Sequence, residues 1–246
     1  MEETIRTLEQ RAFAAWPALR TQRYDGWVLR FADGFTKRAN SANALDASRE
    51  APETLVANIE AAYTAQGLPP IFRITPLADP AIDAALAARD YRQQDHSLVM
   101  TAPTDARCRA SSIQAAPTPH AGWLDAFIAT AEAAPQTHAK LAAVLDALVP
   151  QASFARIGSA AFGMGVAQDG FVGIFEVLSA PGQRRQGHAR RIVEHLMAWG
   201  ADNGAHTAYL QVVANNAPAI ALYRSLGFVP VYGYHYRLPA KKAAVG

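Results

Sequence analysis

The chain has 246 residues, of which 50% are hydrophobic and 18% are charged, and its formal net charge is +2. This composition excludes a disordered or fibrous protein, and the length suits one large domain or two of modest size. The net charge is too small to indicate the concentrated basic face of a dedicated nucleic-acid binder, so no nucleic-acid partner is expected. A single cysteine excludes an internal disulfide and a multi-cysteine zinc site, and it favours a reducing compartment.

The N-terminal segment MEETIRTLEQRAF is charged and amphipathic, and it lacks the apolar core of a signal peptide. No run approaches the roughly 18 consecutive apolar residues that a membrane span requires. We therefore expect a cytoplasmic protein with no membrane partner.

Helix and strand patterns alternate through the first hundred residues. Apolar residues at helical spacing predict an opening helix over 2–15, which Pro17 closes. An Asp-Gly pair between aromatic and branched residues predicts two short strands around the turn Ala32-Asp33-Gly34. The next predicted elements are a helix over 52–67, a strand over 71–75, a helix over 80–91 and a strand over 97–101.

Composition changes between Ala102 and Pro119, where periodicity is lost, and we place a domain boundary near residue 105. The second half predicts helices over 121–149, strands at about 153–166 and 170–179, a helix to about 202, a strand over 207–213, a helix over 217–226 and a final strand pair over 228–237. AALAARDYRQQDHSLVM (84–100) is similar to AIALYRSLGFVPVYGYHY (219–236). This indicates a tandem of like domains, although such alternation is common.

The junction VLSAPGQRRQGHARRIVEHL (177–196) connects the strand FVGIFEVLS to an amphipathic helix. The first turn of a helix has N–H groups without partners and the positive end of the helix dipole, which together favour a phosphate. Gly187 and Ala189 allow close approach of a ligand, and Arg184 and Arg185 add positive charge. The GxGxxG fingerprint is absent, since GMGVAQDG (163–170) misses it by two residues. The junction predicts an anion site, with a ligand-free basic helix cap as the alternative.

A second motif follows the predicted strand TAYLQVV. It has the pattern NxxAxxLYxxxGF, formed by Asn216, Ala219, Leu222, Tyr223, Gly227 and Phe228. With Arg184-x-x-Gly187-x-Ala189, it makes residues 171–237 resemble the GCN5-related N-acetyltransferase (GNAT) family, whose acetyl-CoA signature is Q/R-x-x-G-x-G/A followed by such a helix. The resemblance implies that acetyl-CoA is the co-substrate and that its pyrophosphate lies on the loop 184–189.

The resemblance also implies the architecture. The implied architecture is that of an α/β protein with a tandem acyl-CoA N-acyltransferase-like fold, in which a central mixed sheet is flanked by helices in each half. Residues 1–105 would form a GNAT-like domain and residues 106–246 the catalytic domain. The segments WPALRT and DGWVLRFADGFTKRANSANAL resemble longer bacterial members less specifically. Because no R/Q-x-x-G-x-G/A lies between its strands, the first half is predicted to be degenerate and to have lost the cofactor site.

The resemblance gives Tyr223 the role of general acid toward the departing thiolate, with core packing as the alternative. Glu176 lies near the end of a strand that separates from its neighbour in this family. It is predicted to be a general base, directly or through water, or to bind the acceptor's ammonium group; an outward-facing strand residue would do neither. The predicted cofactor-binding residues are Val177, Leu178, Ser179, Arg184, Arg185, Gln186, Gly187, His188, Ala189, Asn216 and Tyr223.

In this family the backbone N–H of Val177 or Leu178 would polarise the thioester oxygen. Asn216 has two compatible roles, a hydrogen bond to the cofactor arm and the capping of the helix that follows it. His188 and His195 are seven residues apart, which is not the i, i+4 spacing of a helical metal site. No metal is therefore expected.

The resemblance, together with these residues, implies an acyltransferase that moves acetyl from acetyl-CoA to a primary amine by direct attack in a ternary complex. A non-catalytic acyl-CoA-binding sensor or regulatory protein is the alternative. A nucleic-acid-binding module that uses RRQGHARR is a second alternative, and steeply salt-dependent binding would reveal it. The acceptor is a small-molecule or peptide amine that the sequence does not identify, and its expected site is the cleft between the halves. A homodimer is compatible with the sequence.

Overall fold

The computed structural model of the chain describes residues 1–104, 113–119, 121–134 and 136–240. Within these residues seven α-helices flank eleven strands. The helices are α1 (Glu2–Ala15), α2 (Pro52–Thr64), α3 (Pro80–Ala88), α4 (Ala121–Thr130), α5 (Gln136–Asp146), α6 (His188–Asp202) and α7 (Ala217–Ser225). The strands are β1 (Arg20–Tyr24), β2 (Trp27–Phe31), β3 (Ala42–Ala44), β4 (Phe72–Ile74), β5 (Arg92–Pro103), β6 (Gln114–Ala116), β7 (Gln151–Ile157), β8 (Ala161–Gln168), β9 (Phe171–Ser179), β10 (Thr207–Val213) and β11 (Val229–Leu238).

The described strands form one mixed sheet in the order β1-β2-β3-β4-β11-β5-β10-β9-β8-β7-β6. Two neighbouring pairs are parallel, β3 with β4 and β9 with β10, and the strands of each pair are connected through a helix, α2 or α6. Parallel neighbours require such a crossover connection. The predicted α/β fold with a mixed sheet and flanking helices is confirmed. The predicted boundary near residue 105 lies outside the described residues and stays a prediction.

The two halves repeat one order of elements, β3-α2-β4-α3-β5 in the first and β9-α6-β10-α7-β11 in the second. The last strand of each half pairs with the other half: β5 lies beside β10, and β11 lies beside β4. The exchanged strands also pair with each other at the centre of the sheet. The tandem fold therefore has one continuous sheet, and its similar segments 84–100 and 219–236 correspond to α3-β5 and α7-β11.

Apolar packing also joins the halves. Ile5 and Leu8 of α1 and the following Trp16 belong to the same buried cluster as Phe162 of β8 and Phe175 of β9. A second cluster lies under α2 and α3, and a third lies under α6 and α7. Because α1 belongs to the first half in sequence but contacts β9, it stabilises the position of one half against the other.

Glycines on β8 let α6 pack closely on the sheet. A Cβ on Gly165 would lie 3.0 Å from Cδ2 of Leu196, and a Cβ on Gly163 would overlap Ile192. These are the glycines of GMGVAQDG, so that segment serves helix packing, and its Asp169-Gly170 pair connects β8 to β9. The close contact fixes the start of α6 relative to the end of β9.

Some predicted elements differ from the structure. A single strand, β11 (Val229–Leu238), occupies this region, so the strand pair predicted over 228–237 is wrong. Pro230 and Gly233 resemble turn signals, but β11 accommodates them in a strand with two register irregularities. The predicted strand region 153–166 consists of two strands, which turn at 158–160. Strand β1 was not predicted, because its sequence RTQRY is polar and lies largely exposed at the edge of the sheet.

Candidate active site

The candidate site lies where the parallel strands β9 and β10 separate. Their pairing ends at Ile174 and Leu210, although both strands continue. Next to this point β9 has one extra residue relative to β8, and Glu176 takes a left-handed φ of 51°. A bulge of this kind bends a strand and redirects its side chains. The strand separation predicted near Glu176 is therefore present in the structure.

A cavity of about 380 Å³ occupies the gap between the two strands. Four of the predicted site residues line it, namely Glu176, Val177, Asn216 and Tyr223. The other polar side chains in its walls come from both halves and include Lys37, Arg38, Asp95, Ser97, Gln211 and Tyr234. The cavity therefore lies between the halves, and the first half supplies part of its wall.

Glu176 forms an ion pair with Arg38, which lies between β2 and β3. Nη2 of Arg38 donates to Oε1 of Glu176 at 2.8 Å, and the side chains are 28% and 21% exposed, respectively. The Arg38 guanidinium lies 4.6 Å from the ring centre of Trp16 and 5.9 Å from that of Phe175. Burial is the largest single influence and lowers the pKa of Arg38, but the carboxylate of Glu176 together with Tyr234 and Tyr236 outweighs it, so the pKa of Arg38 is raised. Glu176 is thus a half-buried, paired carboxylate in the cavity wall.

A second cation–anion pair lines the same cavity. Nζ of Lys37 pairs with Oδ2 of Asp95, which belongs to β5. Lys37 also lies 5.8 Å from the ring centre of Tyr236, and the hydroxyl of Tyr234 donates to Oε1 of Gln211 at 2.9 Å. The wall opposite β9 is therefore polar, with its charges paired.

Tyr223 lies on α7 and is 8% exposed. Its ring packs edge-on against Phe228, with 6.0 Å between the ring centres. Burial raises the pKa of Tyr223 to about 12. The phenol therefore keeps its proton throughout the neutral range and can donate a hydrogen bond into the cavity that it lines with Glu176.

Asn216 caps α7. Its Oδ1 accepts a hydrogen bond from the backbone N–H of Ala219 at 3.2 Å. Asn216 also lines the cavity. The capping role is present in the structure, and the contact with the cofactor arm stays a prediction.

The predicted anion loop is exposed and leads directly into α6. Gly187 is the N-cap residue with φ of 77°, and a Cβ built on it meets no atom within 4 Å. Arg185 also has a left-handed φ, of 63°. Because the N-cap residue is a glycine, it has no side chain to cover the first turn of α6, which contains His188 and Ala189. The first N–H groups of this helix are therefore open to a ligand.

The remaining predicted residues lie along the same edge of the sheet. Leu178 and Ser179 pair with β8 beyond the cavity. Residues 184–189, including Arg184 and Gln186, lie outside the cavity wall at the start of α6. Because α6 follows β9 and α7 follows β10, both helices begin at the carboxyl ends of the parallel strands, where ligands bind in open α/β sheets.

Sequence reasoning missed Arg38, Lys37 and Asp95. Arg38 and Glu176 are 138 residues apart, and no local pattern indicates that they meet. The available signal was a basic pair in the segment TKRAN after a predicted turn, which is typical of a solvated loop.

His188 and His195 both lie on α6. In the part of the chain that the structure describes, no group of three or more His, Cys, Asp or Glu side chains is placed to hold a metal ion. Across those same ranges, no helix combines the length and apolar character needed to cross a membrane.

Comparison with known proteins identifies the family. A family model described as "Probable histone acetyltransferase Rv0428c C-terminal" matches residues 3–237. The chain is 30% identical over 247 residues to "Uncharacterized N-acetyltransferase YobR" of Bacillus subtilis, and the match covers 96% of this chain and 99% of that protein.

Two solved structures show the same fold. A GCN5-related N-acetyltransferase from Kribbella flavida has a TM-score of 0.67 at 17% identity, and covers 98% of this chain and 96% of its own. A tandem GNAT protein from the clavulanic acid biosynthesis pathway has a TM-score of 0.61 at 12% identity, with 96% and 89% covered. The chain therefore belongs to the Rv0428c C-terminal acetyltransferase family and is a GNAT acyltransferase with a tandem fold.

Proposed function

We propose that the second half transfers the acetyl group of acetyl-CoA to a primary amine by direct attack in a ternary complex. The observation that carries the proposal is the cavity between β9 and β10, which has Glu176 and Tyr223 in its walls. Acetyl transfer needs a deprotonated amine, a polarised carbonyl and a stabilised leaving thiolate. The described residues offer a group for each need.

The loop 184–187 and the first turn of α6 would hold the CoA pyrophosphate. Arg184 and Arg185 supply charge, the open N–H groups supply hydrogen bonds, and Gly187 leaves room for the ligand. The gap between β9 and β10 would take the pantetheine arm, because unpaired strand edges can hydrogen-bond an extended chain of amides. Asn216 in the cavity wall is placed to add a contact to that arm.

Glu176 would accept the proton of the attacking amine, directly or through water, and pass it to solvent. The amine nitrogen forms a bond to the thioester carbon, and the bond from that carbon to sulfur breaks. The backbone N–H of Val177 or Leu178 would polarise the carbonyl oxygen, where negative charge develops.

Tyr223 would act on the leaving sulfur. A thiol has a pKa of about 8.5, below the pKa of about 12 that burial gives to Tyr223. The phenol therefore stabilises the developing thiolate as a hydrogen-bond donor, and any proton that it transfers to sulfur is restored from solvent. Its raised pKa keeps this donor intact at every physiological pH.

Calorimetric titration with acetyl-CoA tests the cofactor site. We expect micromolar binding by the unaltered protein and no binding by Gly187→Glu, because its carboxylate would meet the pyrophosphate. Gly204→Glu is a matched control at the other end of α6, since Gly204 also has a left-handed φ and open space around its Cβ. Normal affinity in Gly187→Glu would remove the assignment of the loop.

Measurement of turnover distinguishes an acetyltransferase from the alternative, a non-catalytic acyl-CoA-binding sensor. An acceptor panel of amines is offered with acetyl-CoA, and release of free thiol is followed with time. Amine-dependent release supports the proposal. Tight binding of acetyl-CoA without release for any amine would favour a non-catalytic acyl-CoA-binding protein.

A further inference from the structure

We infer that the acceptor has a carboxylate next to its reacting amine, as a free amino acid does, and that Arg38 of the first half binds this carboxylate. The inference rests on the proposed function, because it requires the amine to approach Glu176. Arg38 and Glu176 line one cavity and lie 2.8 Å apart. A group bound to one of them is therefore within reach of the other.

Arg38 is held in place as a binding group. Trp16 and Phe175 lie beside its guanidinium, at 4.6 and 5.9 Å from their ring centres. A guanidinium has five N–H donors, and among the described residues the structure shows Arg38 donating to Glu176. Its side chain is 28% exposed and lines the cavity. An arginine that stacks on an aromatic ring and lines a cavity is suited to bidentate binding of a carboxylate.

Two more arginines make this region positive. Arg30 and Arg73 are each 2% exposed, and with Arg38 they line a void of about 10 Å³ that shares Phe175 and Gln211 with the main cavity. Nε of Arg30 and both Nε and Nη2 of Arg73 are buried and have no hydrogen-bond partner among the described residues.

The nearby anions do not balance these cations. Arg73 pairs with Glu9, and Arg38 pairs with Glu176. Burial, and then repulsion from Arg73, lower the pKa of Arg30 to about 10. An anion bound beside Arg38 would offset this excess of buried positive charge.

The charge pattern selects a class of acceptor. An α-amino acid has its amine and its carboxylate on the same carbon, and the Glu176–Arg38 pair presents the opposite charges at close distance. Each end of the zwitterion then meets its complement. A lysine side chain or a peptide N-terminus has no carboxylate at that position and leaves Arg38 without this partner. The inferred class is therefore a free aminocarboxylate.

Matched acceptors test the inference. Several amino acids are compared with their carboxamides and with the corresponding decarboxylated amines, and with peptides that have a free N-terminus or a lysine. At saturating acetyl-CoA we expect the amino acid to have a kcat/KM about ten-fold or more above its carboxamide, mainly through KM, since charge-assisted hydrogen bonds are lost in the amide.

Variants then assign the preference to Arg38. In Arg38→Gln the ratio of acid to amide should fall to about one, and Arg38→Lys should retain part of it. Arg23→Gln, on the exposed edge strand β1, is the matched control and should keep the full ratio. The ratio compares two acceptors in the same variant. Any loss of activity that follows from breaking the Arg38–Glu176 ion pair therefore affects both acceptors and cancels in the ratio. Thermal unfolding of each variant confirms that it is folded.

Three outcomes would overturn the inference. A ratio near or below one in the unaltered protein, or a preference for peptides, rejects the aminocarboxylate class but leaves acetyl transfer to amines intact. A ratio that survives Arg38→Gln rejects the role of Arg38. Absence of transfer to every amine rejects the proposed function and the inference with it.

Discussion

The parallel pairs β3–β4 and β9–β10 occupy equivalent places in the two halves, yet the cavities beside them differ in charge. The cavity beside β9 and β10 has a volume of about 380 Å³, and the first-half cavity beside β3 and β4 has a volume of about 370 Å³. The charged residues lining the first-half cavity are Glu2, Asp46, Glu50, Asp79 and Arg6. Acids therefore dominate there, whereas the cavity beside β9 and β10 has paired charges in its walls and a basic loop near it.

The helices that follow β3 and β9, which are α2 and α6, also differ in the charge at their starts. Helix α2 begins at Pro52 after Ala51, with Glu50 beside it, whereas α6 begins after Gly187 and two arginines. Negative charge and the absence of a glycine N-cap disfavour a pyrophosphate at α2. On the proposed function, a few side chains on a shared backbone decide which half binds the cofactor. We expect one molecule of acetyl-CoA per chain, bound to the second half.

The largest expected effect on kcat comes from removing the carboxylate of Glu176. Glu176→Gln should lower kcat by about 10² to 10⁴, the usual contribution of a general base, while the affinity for acetyl-CoA changes little. Glu50→Gln alters an acid that lines the first-half cavity and should leave kcat unchanged. Steady-state kinetics measures both, and an unaltered kcat in Glu176→Gln would remove Glu176 from proton transfer.

Charge reversal tests the two helix starts. The double variant Arg184→Glu, Arg185→Glu should weaken acetyl-CoA binding by about ten-fold or more at low salt, with a smaller loss at high salt because exposed charges are screened. Arg49→Glu is the matched change shortly before α2 and should have no effect on affinity. Calorimetry at two ionic strengths measures this difference, and equal losses in both variants would contradict the assignment of the cofactor to the second half.

Tyr223→Phe should lower kcat by about ten-fold and leave acetyl-CoA affinity unchanged, because the hydrogen bond to sulfur is made only as charge develops. The raised pKa of Tyr223, about 12, means that the donor is present below that pH and is lost only above it. The ratio of the two kcat values should therefore stay constant from pH 6 to pH 9.

Tyr91→Phe, a buried tyrosine of the first half, is the control for Tyr223→Phe and should keep kcat. A Tyr223→Phe effect that disappears between pH 6 and pH 9 would show a lower pKa and contradict this account.

The smallest effect concerns the helix caps. Asp79 caps α3 by accepting from the N–H of Ala81 at 2.8 Å, as Asn216 caps α7. Asp79→Ala and Asn216→Ala should each lower the free energy of unfolding by about 1 kcal/mol. In addition, Asn216→Ala alone should weaken acetyl-CoA binding. Chemical denaturation and calorimetry on both variants separate the two roles, and unchanged affinity would leave Asn216 as a cap only.

The sequence predicted the order of most helices and strands because each is specified by local periodicity. It could not predict the exchange of β5 and β11, since strand partners depend on contacts between residues far apart in the chain. For the same reason the predicted site included Glu176 but not Arg38, its partner from the other half. The sequence also did not show that β11 is a single strand: Pro230 and Gly233 lie within it, and bulges and turns share the same local signals.

The measurement that tests the central claim most directly is the joint detection of free thiol and N-acetylated product from acetyl-CoA and a panel of amines. The account predicts thiol release that depends on the amine, in a one-to-one ratio with product, and that is strongly reduced in Glu176→Gln. Bound acetyl-CoA with no product from any amine, or product formation that Glu176→Gln leaves unchanged, would contradict it.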